Sequence, residues 1–431
     1  MQWLISLLLA STWLFDSYTA WPLDAHEFIA ESHVSNYNKT LMRRVRVGSG
    51  AGSSGSPPKA TDVFSLGDAT TVGGCSSALI DSWLEEAFLL HKAIETAYDS
   101  VQSDTRLAVF WIQYFGIKFN NDGTIDTNDD LSSILWKDVG NYISAVSQFL
   151  SGGGIPRAAV PGNPWIFCSE DSGEYTPYNQ PVKNSEGSFA IIDKAYNEAG
   201  ELVPTELLTL DDVFIQEARN PDLNPFFIKA TNSYTFDSNG YETLCGKPTL
   251  FATTGRPQNT PDSFVYEQYE VTLGLYNRHI LFCPPTFHIL ADDPGYANAP
   301  HNYPSLAQAV SADNYPSGNP GDGTPVTQLD RLLPISATLY HELYHLTDSE
   351  ELTTDDPFNS IAVHLTNIGI KADLVDILKA GQLQIGVTPK NPESYAFLAM
   401  AAYMYLNAPE GKEPVIFVGG LPLEAKYINL D

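Results

Sequence analysis

Positive charge is what this sequence has least of. Its 23 lysines and arginines face 52 acidic residues, a formal net charge of −29. Such a field repels a phosphate backbone, which argues against nucleic-acid binding and favours cationic partners or substrates. Cysteine is sparse as well: Cys75, Cys168, Cys245 and Cys283 are all there is, and no two form a C-x-x-C pair. An even count at wide spacing argues for two disulfides in an oxidising compartment rather than a cysteine-held metal. Three pairings are open, and Cys75–Cys168 with Cys245–Cys283 is preferred because it closes two separate loops. Long apolar runs are missing beyond the first fifteen residues, so no membrane span is expected. Apolar and aromatic residues are not lacking. At 43% and 12% they suffice for a large core and exclude a disordered chain.

In chain order, MQWLISLLLASTWLF has the apolar core of a secretory leader, expected to span residues 1–20 with cleavage after Ala20. Residues 21–46 are polar and end in Arg43-Arg44-Val45-Arg46, which suits a removable pro-segment. They are neutral as a whole with the leader: four acids (Asp16, Asp24, Glu27, Glu31) balance four bases (Lys39, Arg43, Arg44, Arg46). The mature chain therefore keeps the entire acidic excess. Residues 47–60, with GSGAGSSGSPP, read as a flexible linker. The folded domain is expected over residues 61–431, secreted and monomeric.

Within that domain, Leu79, Trp83, Ala87, Leu90 and Ile94 recur at helical spacing and predict a long helix over Ser76–Val101, with His91 beside its packing face. Two further helices are expected over Leu107–Phe119 and Leu131–Leu150, the second stopped by Gly152-Gly153-Gly154. From Ile155 to about Pro261 the pattern turns to short apolar runs. Phe189–Ile192, Phe226–Lys229, Thr249–Ala252 and Ile280–Cys283 are the strand candidates. Asp292–Thr327 is rich in Gly, Pro, Asn and Asp, a long loop with a short helix near Leu306. The fold class expected is α+β, mainly helical, with a small sheet and long loop insertions.

The chemistry sits at His341-Glu342-Leu343-Tyr344-His345. On a helix, positions i and i+4 share a face, so both imidazoles reach one metal ion while Glu342, a step round, can act as general base. Ile335, Leu339, Leu343 and Leu346 give the helix an apolar stripe beside the histidines, and Pro334 suits its first turn. One zinc per chain is expected. A third protein ligand is needed, and spacing alone leaves Asp348, Glu350, Glu351, Asp355 and Asp356 open.

Order along the chain adds a resemblance. After H-E-x-x-H come Leu352-Thr353-Thr354-Asp355-Asp356-Pro357-Phe358-Asn359 and then Asn391-Pro392-Glu393-Ser394-Tyr395-Ala396-Phe397. Upstream lie Cys75-Ser76-Ser77 and Phe282-Cys283-Pro284-Pro285. This series resembles the deuterolysin-like fungal zinc endopeptidases, the aspzincins, which include the peptidyl-Lys metalloendopeptidases. Their second motif is G-T-x-D-x-x-Y-G and their third begins N-A-D. The resemblance implies a zincin-like fold and hydrolysis of protein or peptide substrates. It implies zinc held by His341, His345 and Asp355, with Glu342 as base. Register favours Asp355 over Asp356 because it sets Thr353 on the family threonine and Phe358 on the family tyrosine. Glu393 falls on the first of two acids that hold a basic side chain in peptidyl-Lys relatives, and so is expected to bind substrate. Ala396 stands at the second, which implies a looser preference for basic substrates than a strict lysine requirement. The chain departs from the family at Phe358, which lacks the hydroxyl that stabilises the oxyanion; Tyr344 and Tyr395 are the residues that could replace it. The competing expectation is a secreted zinc-binding or surface-interaction protein of the same fold with little or no catalysis.

Overall fold

The computed structural model describes residues 55–66, 73–158, 160–238, 240–246, 250–256, 263–266, 269–275, 277–288, 302–318, 327–348, 352–353, 355 and 388–428. The expected leader and pro-segment lie outside these residues, as do Glu350, Glu351, Asp356 and Phe358. The chain mixes helices with several small sheets, as the α+β expectation had it. Among the described residues the five longest helices are α1 (Ser77–Asp99), α2 (Ala108–Phe115), α3 (Asp130–Gln148), α4 (Ser336–Thr347) and α5 (Pro392–Leu406). Among the described residues no helix is long and apolar enough to cross a membrane. Two compact units divide the expected single domain. One takes in Glu85–Ser147 and the described residues after His301; the other takes in Pro57–Leu84 and the described residues from Gln148 to Pro300.

The first unit is mainly helical. α2, AVFWIQYF, is apolar nearly all round and is buried accordingly. It stops at Gly116, whose φ of 70° is the left-handed turn that glycine allows at a helix C-terminus. Around it, Trp111 meets Trp136 edge-on at 5.2 Å, Tyr98 stacks on Trp136 at 4.0 Å, and Phe115 packs against Tyr395 of α5 at 5.0 Å. α3 turns Leu135, Val139, Ile143 and Val146 inward at three- and four-residue spacing. The hairpin Val415–Val418/Leu421–Glu424 is held to α2 by Gln113, whose amide donates to the Phe417 carbonyl and accepts from Gly419 N–H. Of the sequence expectations here, the long helix is two residues shorter at its far end. The helix expected over Leu107–Phe119 is a 3-10 turn (Thr105–Leu107) plus α2. Asn120–Asp129 instead forms a turn-rich loop tied by Lys118–Asp129 at 3.1 Å.

The second unit carries most of the strands. Ser65–Leu66, Trp165–Phe167, His279–Phe282 and Ala252–Gly255 form one sheet in that order. Its first two pairings are parallel and its last antiparallel. Gly255 faces His279 across the last pairing, where a Cβ would fall 2.1 Å from the imidazole, so only glycine fits. Gly173–Tyr175, Asn224–Ile228 and Ser233–Asp237 make a second, antiparallel sheet. Phe167, Phe226, Ile228, Leu244 and Leu281 pack as one of its cores. Both preferred disulfides are present, Cys75–Cys168 and Cys245–Cys283, with Cα atoms 5.1 and 5.5 Å apart. The glycine run after α3 ends it through a wide turn, with Gly152 and Gly154 at φ 81° and 71°. Two strand expectations shift. The run at Phe189 starts its strand only at Ile191 and continues to Tyr196, because pairing with Leu202–Leu207 rather than burial extends it. The run at Thr249 pairs from Ala252 to Gly255.

Candidate metal centre

α4 carries SATLYHELYHLT, and nearly every residue on it is buried except its two histidines, whose side chains are 11% and 14% exposed. The expected apolar stripe exists at Leu339, Leu343 and Leu346. Burial extends well beyond it, to Tyr340, Glu342 and Tyr344. A surface helix with two solvated histidines is excluded by that burial. The start of α4 is fixed by the Tyr303–Pro334 bridge and by Ile335 N–H donating to the Tyr303 carbonyl. The expected short helix near Leu306 is present as Leu306–Ala309, capped by Ser305 and bonded at Leu306 N–H to the Glu86 carboxylate. His91, read as a packing-face residue, is buried in α1 and bonds Tyr340 and Ser147.

One turn apart on α4, the rings of His341 and His345 have centroids 5.1 Å from each other. Their Nε2 atoms both approach Oδ1 of Asp355, at 3.0 and 2.6 Å. These three side chains alone among the described residues bring ligand atoms of His, Cys, Asp or Glu within 4.8 Å of one another as a group. Asp348 builds the return of the chain. It ends α4 in an extended conformation, and its buried carboxylate accepts from Leu352 N–H and Thr353 N–H at 2.5 and 2.7 Å. The turn so made sets Thr353 beside His345, with Oγ1 3.0 Å from Nδ1, and brings Asp355 to the histidines from the solvent side. Asp348, one of the five acids open as third ligand, is thus a loop-forming residue.

The far side of His341 meets another element. α5 begins at Pro392, with Asn391 as its cap accepting from Glu393 N–H at 2.9 Å, as the sequence predicted. Glu393, in the first turn, places Oε1 3.3 Å from His341 Nδ1. That nitrogen is buried and has no aligned hydrogen bond. Burial alone would lower the His341 pKa, but the Glu393 charge and the Asp355 contact carry it well above its ordinary value. For Asp355 the surrounding protein pushes the carboxyl up, yet bonds and charge from both imidazoles hold it well below the usual carboxylate range. Both shifts come from the opposite charges that face each other in the cluster.

Glu342 is buried and directs Oε1 to 4.0 Å from His341 Nε2, on the side where the two imidazoles converge. Tyr344 and Tyr395, the candidates for the lost family hydroxyl, stack at 4.1 Å with their hydroxyls committed elsewhere. Tyr344 shares a hydrogen bond with Tyr340 at 2.8 Å, and Tyr395 donates to the Pro389 carbonyl at 2.7 Å. Neither is placed to serve an oxyanion. Sequence reasoning missed the pairing of Glu393 with His341 and of Thr353 with His345. The motif matches had drawn both residues out, but no spacing rule assigns either to an imidazole.

Two imidazole nitrogens and one carboxylate oxygen are donor types that zinc takes; here they contact one another directly at 2.6 and 3.0 Å, and would part to about 3.4 Å around an ion with zinc-like bond lengths. Both Nδ1 atoms face outer partners, as ligating histidines require.

No known protein-family model matches the chain, and no solved structure does either. Over 140 residues the chain is 31% identical to a protein of Penicillium expansum named "Non-secreted LysM effector LysM17". The match takes in 32% of this chain, which spans 18% of that protein's length.

Proposed function

We propose that this chain is a secreted zinc-dependent endopeptidase of the zincin kind, with His341, His345 and Asp355 as the metal ligands. The convergence of both Nε2 atoms on Asp355 Oδ1, with Glu342 Oε1 4.0 Å from His341 Nε2, is the observation that carries the reading. Bound zinc would supply Lewis acidity, polarising the scissile carbonyl and favouring loss of a proton from water. The chain's own residues do the rest. Glu342 takes a proton from the attacking water as its oxygen bonds to the carbonyl carbon. It then delivers that proton to the amide nitrogen as the C–N bond breaks, leaving a carboxylic acid and an amine, between which the acid proton then passes to give carboxylate and ammonium. Glu342 is buried beside the cluster, with Oε1 4.0 Å from His341 Nε2. Two disulfides support secretion.

A second reading, a zinc-binding protein with little catalysis, draws on the committed hydroxyls of Tyr344 and Tyr395 and on the similarity to a protein named as an effector. Loss of an oxyanion donor costs roughly 3 kcal/mol in the transition state. One experiment separates the two: zinc content and casein digestion of the purified protein, with and without chelator, beside Glu342→Gln. The enzyme reading expects one zinc in both proteins and chelator-sensitive digestion in the wild type alone. Zinc without digestion in either supports the second reading, and equal digestion by both removes Glu342 as the base.

A further inference from the structure

The two imidazoles of the cluster differ on the side turned away from Asp355. His345 Nδ1 meets a neutral hydroxyl, Thr353 Oγ1, at 3.0 Å, whereas His341 Nδ1 meets a carboxylate, Glu393 Oε1, at 3.3 Å. We propose that Glu393 is the positioning residue of His341: it holds the imidazole proton on Nδ1, aims the lone pair of Nε2 at the site, and so strengthens zinc binding. The proposal rests on the reading of His341, His345 and Asp355 as zinc ligands.

An imidazole that gives one nitrogen to a metal must carry its proton on the other, and that N–H needs an acceptor when buried. His341 Nδ1 is buried and has no aligned hydrogen bond, and the Glu393 carboxylate oxygen 3.3 Å away is the acceptor the structure offers it. Glu393 is well held for this task. Its backbone N–H is taken by the Asn391 side chain, Pro392 precedes it, and its side chain is only 32% exposed. A carboxylate behind a ligating imidazole also makes the ring more basic than a hydroxyl does. One Glu393 oxygen is therefore committed to the histidine, a different use from the substrate pocket that the family resemblance implied for this position.

The test is zinc affinity, measured on the full chain by competition with a chromogenic chelator, for wild type, Glu393→Gln, Glu393→Ala and Thr353→Val. The Co2+ absorption spectrum serves as a second readout. Glu393→Ala is expected to lower zinc affinity by about 10- to 100-fold. Glu393→Gln, which keeps an acceptor without the charge, should fall between it and wild type, and Thr353→Val should cost less than Glu393→Ala. The Co2+ spectrum of Glu393→Ala should shift while its far-UV and near-UV circular dichroism in excess chelator stay those of the wild type. That pairing separates positioning from folding. Zinc affinity of Glu393→Ala within about threefold of wild type overturns the proposal, most directly if its cleavage-site preference for basic residues changes instead. Failure of the wild type itself to bind zinc overturns the metal reading, and is told apart because it does not depend on residue 393.

Discussion

At the scale of single residues, Asp355 and Asp356 make the sharpest contrast. Asp355 is the acid that both imidazoles approach, and Asp356 lies outside the described residues. Adjacent side chains of an extended chain point to opposite sides, so only one of the two carboxylates is expected to reach a single ion. Asp355→Ala is expected to weaken zinc binding by at least the 10- to 100-fold typical of lost outer partners, since it removes a ligand outright. Asp356→Ala should leave affinity near wild type and cost about 1 kcal/mol of stability as a turn or cap residue. Isothermal titration with zinc decides the order; the reverse order would shift the motif register by one residue and move Phe358 off the tyrosine position.

Among elements, α5 does two things at once. It is buried nearly throughout, from Ser394 to Tyr405, and its first turn delivers Glu393 to His341. Asn391→Ala removes the cap bond to Glu393 N–H and should cost about 1 kcal/mol in urea unfolding. Because the same bond fixes the backbone that carries Glu393, zinc affinity should fall as well, whereas a cap with no connection to the site would leave it unchanged. α4 shows the complementary case. Its cap residue Asp348 stays out of the histidine cluster but folds the chain back toward it, so the position of Asp355 depends on where the helix stops.

For the whole molecule, acid should be destabilising in a window set by two buried histidines, one in each unit. Burial pushes both His91 and His279 down to about 4. Glu95 beside His91 opposes that shift without cancelling it. As pH falls below about 6.5 the unfolded chain takes up these protons before the folded one does. Stability is then lost between about 6.5 and 4, by up to about 3 kcal/mol for each histidine. His341, raised in the folded state, contributes in the opposite sense: its stabilisation is complete below about 6.5 and is lost as pH rises through its folded value. Urea midpoints at pH 7, 5.5 and 4.5 in excess chelator should fall, and His279→Phe should flatten the dependence; an equally steep variant would contradict the assignment. The charge of −29 acts at the same scale. Digestion of basic, unstructured proteins should be preferred at low salt, and the preference should weaken by 0.5 M NaCl as screening shortens the field. Peptide-library profiling at two ionic strengths checks this.

The sequence by itself determined the features that depend on near neighbours along the chain. Helical spacing placed His341, Glu342 and His345 on one turn, Asn391-Pro392 announced the start of α5, and three glycines stopped α3. These are legible because a period, a cap or a left-handed turn is a local property of a few residues. Tertiary structure decided the rest. It buried α4 almost all round, beyond any stripe its sequence displays. It brought Asp355 to the two imidazoles beyond a turn in which Asp348 accepts from Leu352 and Thr353, and it set Glu393 and Thr353 behind the two imidazoles. Strand boundaries at Ile191 and Ala252 followed pairing partners, not apolar runs. Each of these depends on which distant backbone or side chain arrives at a given point, and hydrophobic pattern carries no information about that when the arriving residues are polar.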